Sequence, residues 1–163
     1  YLLRGNHDQL LLDSMATGFT GPEYFEKSVV ATLNNFNVDH PSKIPEKYID
    51  FLRNTIFYFI YEPYLMIHAG LNFAIPNPMD DTEAMLYLRE MEPVPSMIDH
   101  RIIIHGHIPK KLEEVEAQLR ERNSTAYVID TGCVYPEKGM GHLLALELTQ
   151  WQWFVCPNID MQG

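Results

Sequence analysis

Three stretches of this 163-residue chain place histidine beside glycine after apolar residues. They are Leu2-Leu3-Arg4-Gly5-Asn6-His7-Asp8, Leu65-Met66-Ile67-His68-Ala69-Gly70 and Ile102-Ile103-Ile104-His105-Gly106-His107. Each reads as a buried strand ending in a polar motif, and strand C-terminal ends are where α/β folds assemble their sites. Imidazole is the commonest metal-ligating side chain, and an adjacent glycine lets backbone approach an ion or a phosphate closely. One such motif alone is more simply a hydrogen-bonded core histidine. Three of them point to ligands scattered along the sequence and gathered by the fold, as in catalytic metal sites. Mixed amide and imidazole donors suit Mn²⁺, Fe²⁺ or Zn²⁺ rather than Ca²⁺. The chemistry such a set performs is metal-assisted hydrolysis.

The elements that must position these residues are legible from periodicity. Tyr1 to Arg4 reads as the end of a buried strand, and Gln9 to Ala16 as a helix. Pro22 to Phe36 opens on Pro-Glu and carries Phe25, Val29, Val30, Leu33 and Phe36 at helical spacing. Ile44 to Asn54 repeats the pattern with Tyr48, Ile49 and Leu52 on one side. Ile56 to Ile60 and Tyr64 to Ile67 are aromatic and β-branched runs that read as strands, and Phe57, Tyr58, Phe59, Tyr61 and Tyr64 read most simply as core. Asp80-Asp81-Thr82 caps a helix expected to run to about Met91. Arg101 to Ile104 is a buried strand, and Lys110 to Arg122 a solvent-facing helix with charges at helical spacing. Ala126 to Ile129, Gly141 to Leu148 and Trp151 to Val155 are strands, the last two joined as a hairpin across Thr149-Gln150. Mixed helices and strands of this kind predict an α/β (α+β) fold with helices packed outside a sandwich.

Composition narrows the partners. With 46% hydrophobic and 21% charged residues the chain is globular, and its formal charge of −10 disfavours a nucleic-acid backbone as partner. A phosphorylated substrate remains compatible, because bound cations invert the local field. No apolar run approaches the ~20 residues of a membrane span, so no membrane partner is expected. Cys133 and Cys156 are read as buried free thiols, too few for a structural zinc, and the low cysteine usage points to the cytoplasm.

Five blocks, in order along nearly the whole chain, resemble the calcineurin-like metallophosphoesterases, specifically the bacterial serine/threonine protein phosphatase type. Gly5-Asn6-His7-Asp8 resembles their Gly-Asn-His-Glu/Asp block, and Ile67-His68-Ala69-Gly70 their Val-His-Gly/Ala-Gly block. Leu86-Tyr87-Leu88-Arg89-Glu90 is similar to Leu-Trp-Ile-Arg-Asp/Glu, with Tyr87 in place of the tryptophan. Gly106-His107-Ile108-Pro109 resembles Gly-His-Thr-Pro, with His105 where an apolar residue is common. Val128-Ile129-Asp130-Thr131-Gly132-Cys133 is similar to their Ile-Asp-Thr-Gly strand, and His142 to Leu146 to the strand that follows it.

The resemblance implies a metallophosphatase-like β-sandwich flanked by helices, one domain over 1–163 with a helical block at 22–54. It implies hydrolysis of phosphate monoesters by a water activated between two divalent ions, Mn²⁺ foremost and Fe²⁺ or Zn²⁺ as possibilities. Asn6, His68 and His107 would ligate the second metal, His7 would be the catalytic general acid, and Arg89 would bind the substrate phosphate. The implied substrate is a phosphorylated protein or a small phosphate ester, with serine/threonine phosphoprotein first and symmetrical cleavage of diadenosine tetraphosphate as the alternative. The family's Asp-x-His and Gly-Asp-x-x-Asp-Arg-Gly blocks, which precede Gly-Asn-His, do not occur here. The chain is therefore expected to be the C-terminal portion of such a domain, and a non-catalytic remnant that binds phosphate or a partner is a further alternative. Asp8 reads as a helix-start carboxylate and Arg89, alternatively, as a salt-bridge partner of Glu90 or Glu92. Asp130-Thr131-Gly132 also matches the aspartic-protease triplet, but one copy after a helix-rich block reads better as a strand-end turn.

Overall fold

The computed structural model describes residues 1–18 and 23–161. Two compact units divide the chain, Tyr1–Phe57 and Tyr58–Gly163, and each is described by itself.

The first unit is helical. Helix α1 (Asn6–Thr17) begins where Gly5 holds extended dihedrals and the Asp8 carboxylate accepts the Gly5 N–H at 2.8 Å. It stops at Gly18, whose φ of 73° a side chain would resist. Helix α2 (Glu23–Phe36) closes on Asn37 at φ 53°. There the Asn37 and Val38 amides return to the Asn34 and Leu33 carbonyls, the double bond of a Schellman end. Helix α3 (Glu46–Arg53) follows Pro45, and Arg53 pairs with Glu46 and Asp50 on its exposed side. Leu11, Val29, Ile44 and Ile49 meet in the core of this unit. Pro22 and the side chain of Phe25, both assigned to the second helix from sequence, lie outside what is described.

Arg4 ties the two ends of the unit together. Its guanidinium donates to the Leu52, Arg53 and Thr55 carbonyls, to the Thr55 hydroxyl and to Gln9. A cation on the orphan carbonyls at a helix C-terminus is favoured by both hydrogen bonding and the helix dipole. The expected buried strand Tyr1–Arg4 is not one. Leu3 forms a single parallel bridge with Ile56, and Tyr1 is 98% exposed. One bridged pair offers too little ladder to bury an apolar run.

The second unit is built on a four-stranded mixed sheet in the order β1-β2-β3-β4. Its strands are β1 (Tyr58–Tyr61), β2 (Tyr64–Ile67), β3 (Ile102–His105) and β4 (Ala126–Val128). β1 runs antiparallel to β2, whereas β2, β3 and β4 are parallel, with Met66 opposite Ile104 and His105 opposite Val128. β1 has a neighbour on one side only, so Tyr58 and Tyr61 are exposed rather than in the core assigned from sequence. Helix α4 (Thr82–Tyr87) precedes β3, and α5 (Leu112–Glu121) joins β3 to β4. Both β2 and β3 are buried on alternating residues of each face, as parallel strands covered on both sides must be.

One face of this sheet presents Tyr64, Ile104 and Tyr127 to Val115 and Leu119 of α5 and to Trp151. Trp151 lies in the turn of an antiparallel hairpin, β5 (His142–Glu147) and β6 (Gln152–Pro157). Its indole N–H donates to the Leu119 carbonyl at 2.9 Å, and its ring packs edge-on against Tyr127 at 4.9 Å. The hairpin expected across Thr149-Gln150 is present, and Glu147 holds its turn through Thr149 and Gln150. The fold is thus a mixed α/β arrangement of helices, a four-stranded sheet and a small antiparallel sheet. Among the described residues no helix is long and apolar enough to cross a membrane. Both cysteines are free, but neither is buried, because Cys156 sits on the exposed strand β6 and Cys133 in a loop.

Helix α4 departs most from its expected course. It ends at Tyr87, not near Met91, because Leu88 turns to extended dihedrals and leads into the irregular approach to Pro93. Its start is held by Asp81, whose carboxylate accepts from Ala84 N–H at 2.9 Å and from the Asn72 amide at 2.9 Å. The Ala84 bond first, and Asn72 second, hold the Asp81 carboxyl below its ordinary value. A depressed carboxyl stabilises the fold above the unfolded-chain value near ~4 and loses that contribution as pH falls through the lower folded value. Asp81→Ala should therefore cost about 1 kcal/mol in urea unfolding at pH 7. The difference from wild type should shrink in unfolding measured at pH 3 and below.

Candidate functional site

Two of the three histidine motifs stand where the sequence places them, at the ends of strands. β2 ends at Ile67 and β3 at His105, so His68 and Gly106-His107 leave the C-terminal edge of adjacent parallel strands. The Gly106 N–H donates to the His68 carbonyl at 2.9 Å, which carries the pairing one step beyond the strands. Past it, His68 Nε2 and His107 Nδ1 stand 3.2 Å apart, with ring centroids at 5.0 Å. The third motif is different: Asn6 and His7 open a helix after a lone bridge, so no strand ends there.

His107 occupies a costly backbone. Its φ is 69°, and the Ile108 N–H bonds back to the Gly106 carbonyl at 2.9 Å. A three-residue turn with positive φ at its centre is the rare, strained form of γ-turn. The strain falls on the histidine and not on the glycine beside it, and such strain concentrates at functional positions.

The donor pair fits a divalent ion. Two nitrogens bound to one ion at about 2.0–2.1 Å stand about 2.9–3.4 Å apart, from octahedral to tetrahedral angles. The observed 3.2 Å lies within that range, and it equally permits a hydrogen bond when one ring carries the proton between them. Among the described residues no three His, Cys, Asp or Glu side chains are grouped to hold an ion. Asp130 follows β4, the next parallel strand, but its carboxylate accepts the Gly132 N–H at 3.0 Å. That bond makes it the strand-end turn expected from sequence.

Arg89 lies on the irregular segment after α4, not on a helix, and is exposed. Among the described residues it makes no ion pair, so it does not pair with Glu90 or Glu92. It borders a cavity of about 290 Å³ together with Ala69, His105, Ser124 and Thr125. Neither His68 nor His107 is on its lining, which reaches instead to Ser124–Ala126 at the start of β4. Two contacts place Arg89 there. The Ala69 N–H donates to the Met85 carbonyl of α4 at 2.9 Å. Gly70 lets Leu88 close in, since a Cβ at position 70 would meet Leu88 Cδ2 at 3.1 Å. Burial pushes the His105 imidazole down, and its Nδ1 is enclosed without a hydrogen-bond partner. It is a half-buried neighbour of the pair.

In the helical unit Asn6 is 4% exposed and His7 is exposed beside it. His7 Nδ1 meets Ser28 Oγ of α2 at 2.7 Å. A hydroxyl rotor can accept from Nδ1–H or donate to a bare Nδ1. The contact therefore orients the ring in either charge state and directs Nε2 away from Ser28. Sequence reasoning missed Ser28, since nothing local marks a partner that lies 21 residues away on another helix. Asp8 is the helix-start carboxylate expected of it.

No family model, no curated protein and no solved structure matches the chain to a significant degree.

The positive φ at 107 makes a separable prediction. His107→Ala and His107→Gly each remove one imidazole, but only glycine relaxes the turn. His107→Gly should be about 1 kcal/mol more stable than His107→Ala in urea unfolding. Equal stabilities would show that the turn carries no strain.

Proposed function

We propose that this chain belongs to a cytoplasmic metallophosphoesterase that hydrolyses phosphate monoesters, phosphoserine or phosphothreonine protein foremost, on a metallophosphatase-like sandwich. The observation that carries the reading is the convergence of His68 and His107 at 3.2 Å beyond two parallel strands, with His107 in a strained turn. His68 and His107 would hold one of two divalent ions, Mn²⁺ before Fe²⁺ or Zn²⁺, and Asn6 is a ligand on the resemblance alone. Ions bound there supply Lewis acidity, which lowers the pKa of water and offsets the charge on phosphate.

The chain's own residues would do the rest. Arg89 offers a planar fork of donors to two phosphate oxygens, and the exposed end it presents is compatible with an anion arriving from solvent. Water would add to phosphorus and lose a proton to solvent, the bond to the leaving oxygen would break with its electron pair on that oxygen, and His7 would give that oxygen a proton and be reprotonated from solvent. The products are the alcohol and inorganic phosphate. Ser28 keeps the His7 ring oriented through Nδ1 so that Nε2 is the nitrogen that delivers the proton.

The test is p-nitrophenyl phosphate hydrolysis with Mn²⁺ and with chelator. Turnover should need the ion, and His68→Ala and His107→Ala should each abolish it. His7→Ala should lower kcat by about 10²-fold or more on substrates with poor leaving groups. Arg89→Ala should act mainly on KM, with partial recovery in Arg89→Lys. Turnover indifferent to chelator would overturn the reading. No turnover with any divalent ion, alongside phosphate binding that depends on Arg89, would favour a non-catalytic phosphate-binding role.

A further inference from the structure

The cavity of about 290 Å³ beside Arg89 lies wholly inside the sheet unit. One part of its lining is the sheet itself. His105 and Ala126 belong to the face of β3 and β4 that lies opposite Ile104 and Tyr127. The other part is the irregular segment after α4, which contributes Leu88, Met91 and Pro93. Arg89 is the one charged side chain on the lining, since its chain neighbours Glu90 and Glu92 do not reach it. Two polar groups here lack protein partners. Among the described residues Arg89 makes no ion pair, and the His105 Nδ1 is enclosed without a hydrogen-bond partner. Ser124 offers nothing further, because its hydroxyl is spent on the Ala126 backbone at 2.6 Å. An enclosed polar atom with no partner is uncommon in a folded chain and calls for one from outside it.

We infer that this cavity binds a small organic anion, a carboxylate on an apolar or aromatic body, with the carboxylate on the Arg89 guanidinium and the body against Leu88, Met91 and Pro93. The guanidinium fork matches the two oxygens of a carboxylate. A ligand oxygen also gives the His105 ring the partner that the chain withholds. The size is suitable, because a dry cavity of about 150 Å³ already holds a benzene ring, and about 290 Å³ takes that ring with a carboxylate. An inorganic anion would leave the apolar side of the lining wet, whereas a methionine there adapts to the body it meets. The chain as a whole carries −10, so an anion bound here is held by the local fork against the wider field. The inference stands apart from the phosphoesterase reading, since it asks for neither metal nor turnover. On that reading, an occupied cavity would withhold Arg89 from the substrate phosphate and oppose turnover.

The test is a titration of benzoate into the chain without added metal, following the methyl resonances of Leu88, Met91 and Ala126. Benzamide and inorganic phosphate are titrated for comparison. The three resonances should shift together with a dissociation constant for benzoate on the order of 1 mM, within the limit for nine heavy atoms. Benzamide keeps the ring and loses the charge, and phosphate keeps the charge and loses the ring. Each should bind about tenfold more weakly than benzoate. Arg89→Gln should weaken benzoate binding about tenfold, and Ala126→Leu, which fills part of the space, by a similar factor. Arg89 is exposed, so its variant keeps the test available if Ala126→Leu does not fold. Resonances unmoved by benzoate, or an affinity indifferent to Arg89→Gln, would overturn the site and leave the phosphoesterase reading standing. Benzamide or phosphate binding as tightly as benzoate would overturn the assignment to an organic anion.

Discussion

The hydrogen bond from the Gly106 N–H to the His68 carbonyl fixes where two imidazoles meet. It extends the parallel pairing of β2 and β3 by one step, and that pairing sets Met66 opposite Ile104. Side chains alternate faces along a strand, so a slip of one residue would send His68 and His107 to unrelated positions. The register is in turn held by burial on both faces. Tyr64 and Ile104 pack toward α5 and Trp151, while Leu65, Ile67 and Ile103 are buried as well. A strand that must hide both faces has one register that hides them, so the geometry of the histidine pair is inherited from the core.

The same logic shows why much of this unit was legible in the sequence. Runs such as Ile102-Ile103-Ile104 declare a buried strand, and a histidine after such a run then stands at a strand end. Gly106 was also legible as the residue that ends β3. What the sequence concealed was tertiary. Leu88 leaves the helical path in extended dihedrals and lies against Gly70, so Arg89 stands on an irregular segment that local periodicity could not foresee. The strain at His107 is concealed for the same reason: left-handed dihedrals are expected of the adjacent glycine, and the chain places them on the histidine. Tyr58 and Tyr61 read as core because aromatic content does not distinguish an edge strand from a central one.

In the helical unit the helices were found within a few residues of their ends, because caps and apolar spacing are local signals. The opening strand failed because Tyr1 to Arg4 has the composition of a strand but only Ile56 to pair with. The interaction of His7 with Ser28 was invisible for want of any local pattern. The five sequence blocks name candidate residues, and the geometry within each unit shows an imidazole pair, an exposed arginine and a histidine held by a hydroxyl.

Arg4 gives the helical unit a mechanical property. One guanidinium holds residues 9, 52, 53 and 55, and residue 4 directly precedes Gly5 at the start of α1. The first turn of α1 and the last turn of α3 therefore share a fastener. Fraying at either end releases the other, so amides from both should behave as one cooperative opening unit on the timescale of hydrogen exchange. His7 rides on that unit, and its pose is only as durable as a helix end forty-five or so residues further along the chain.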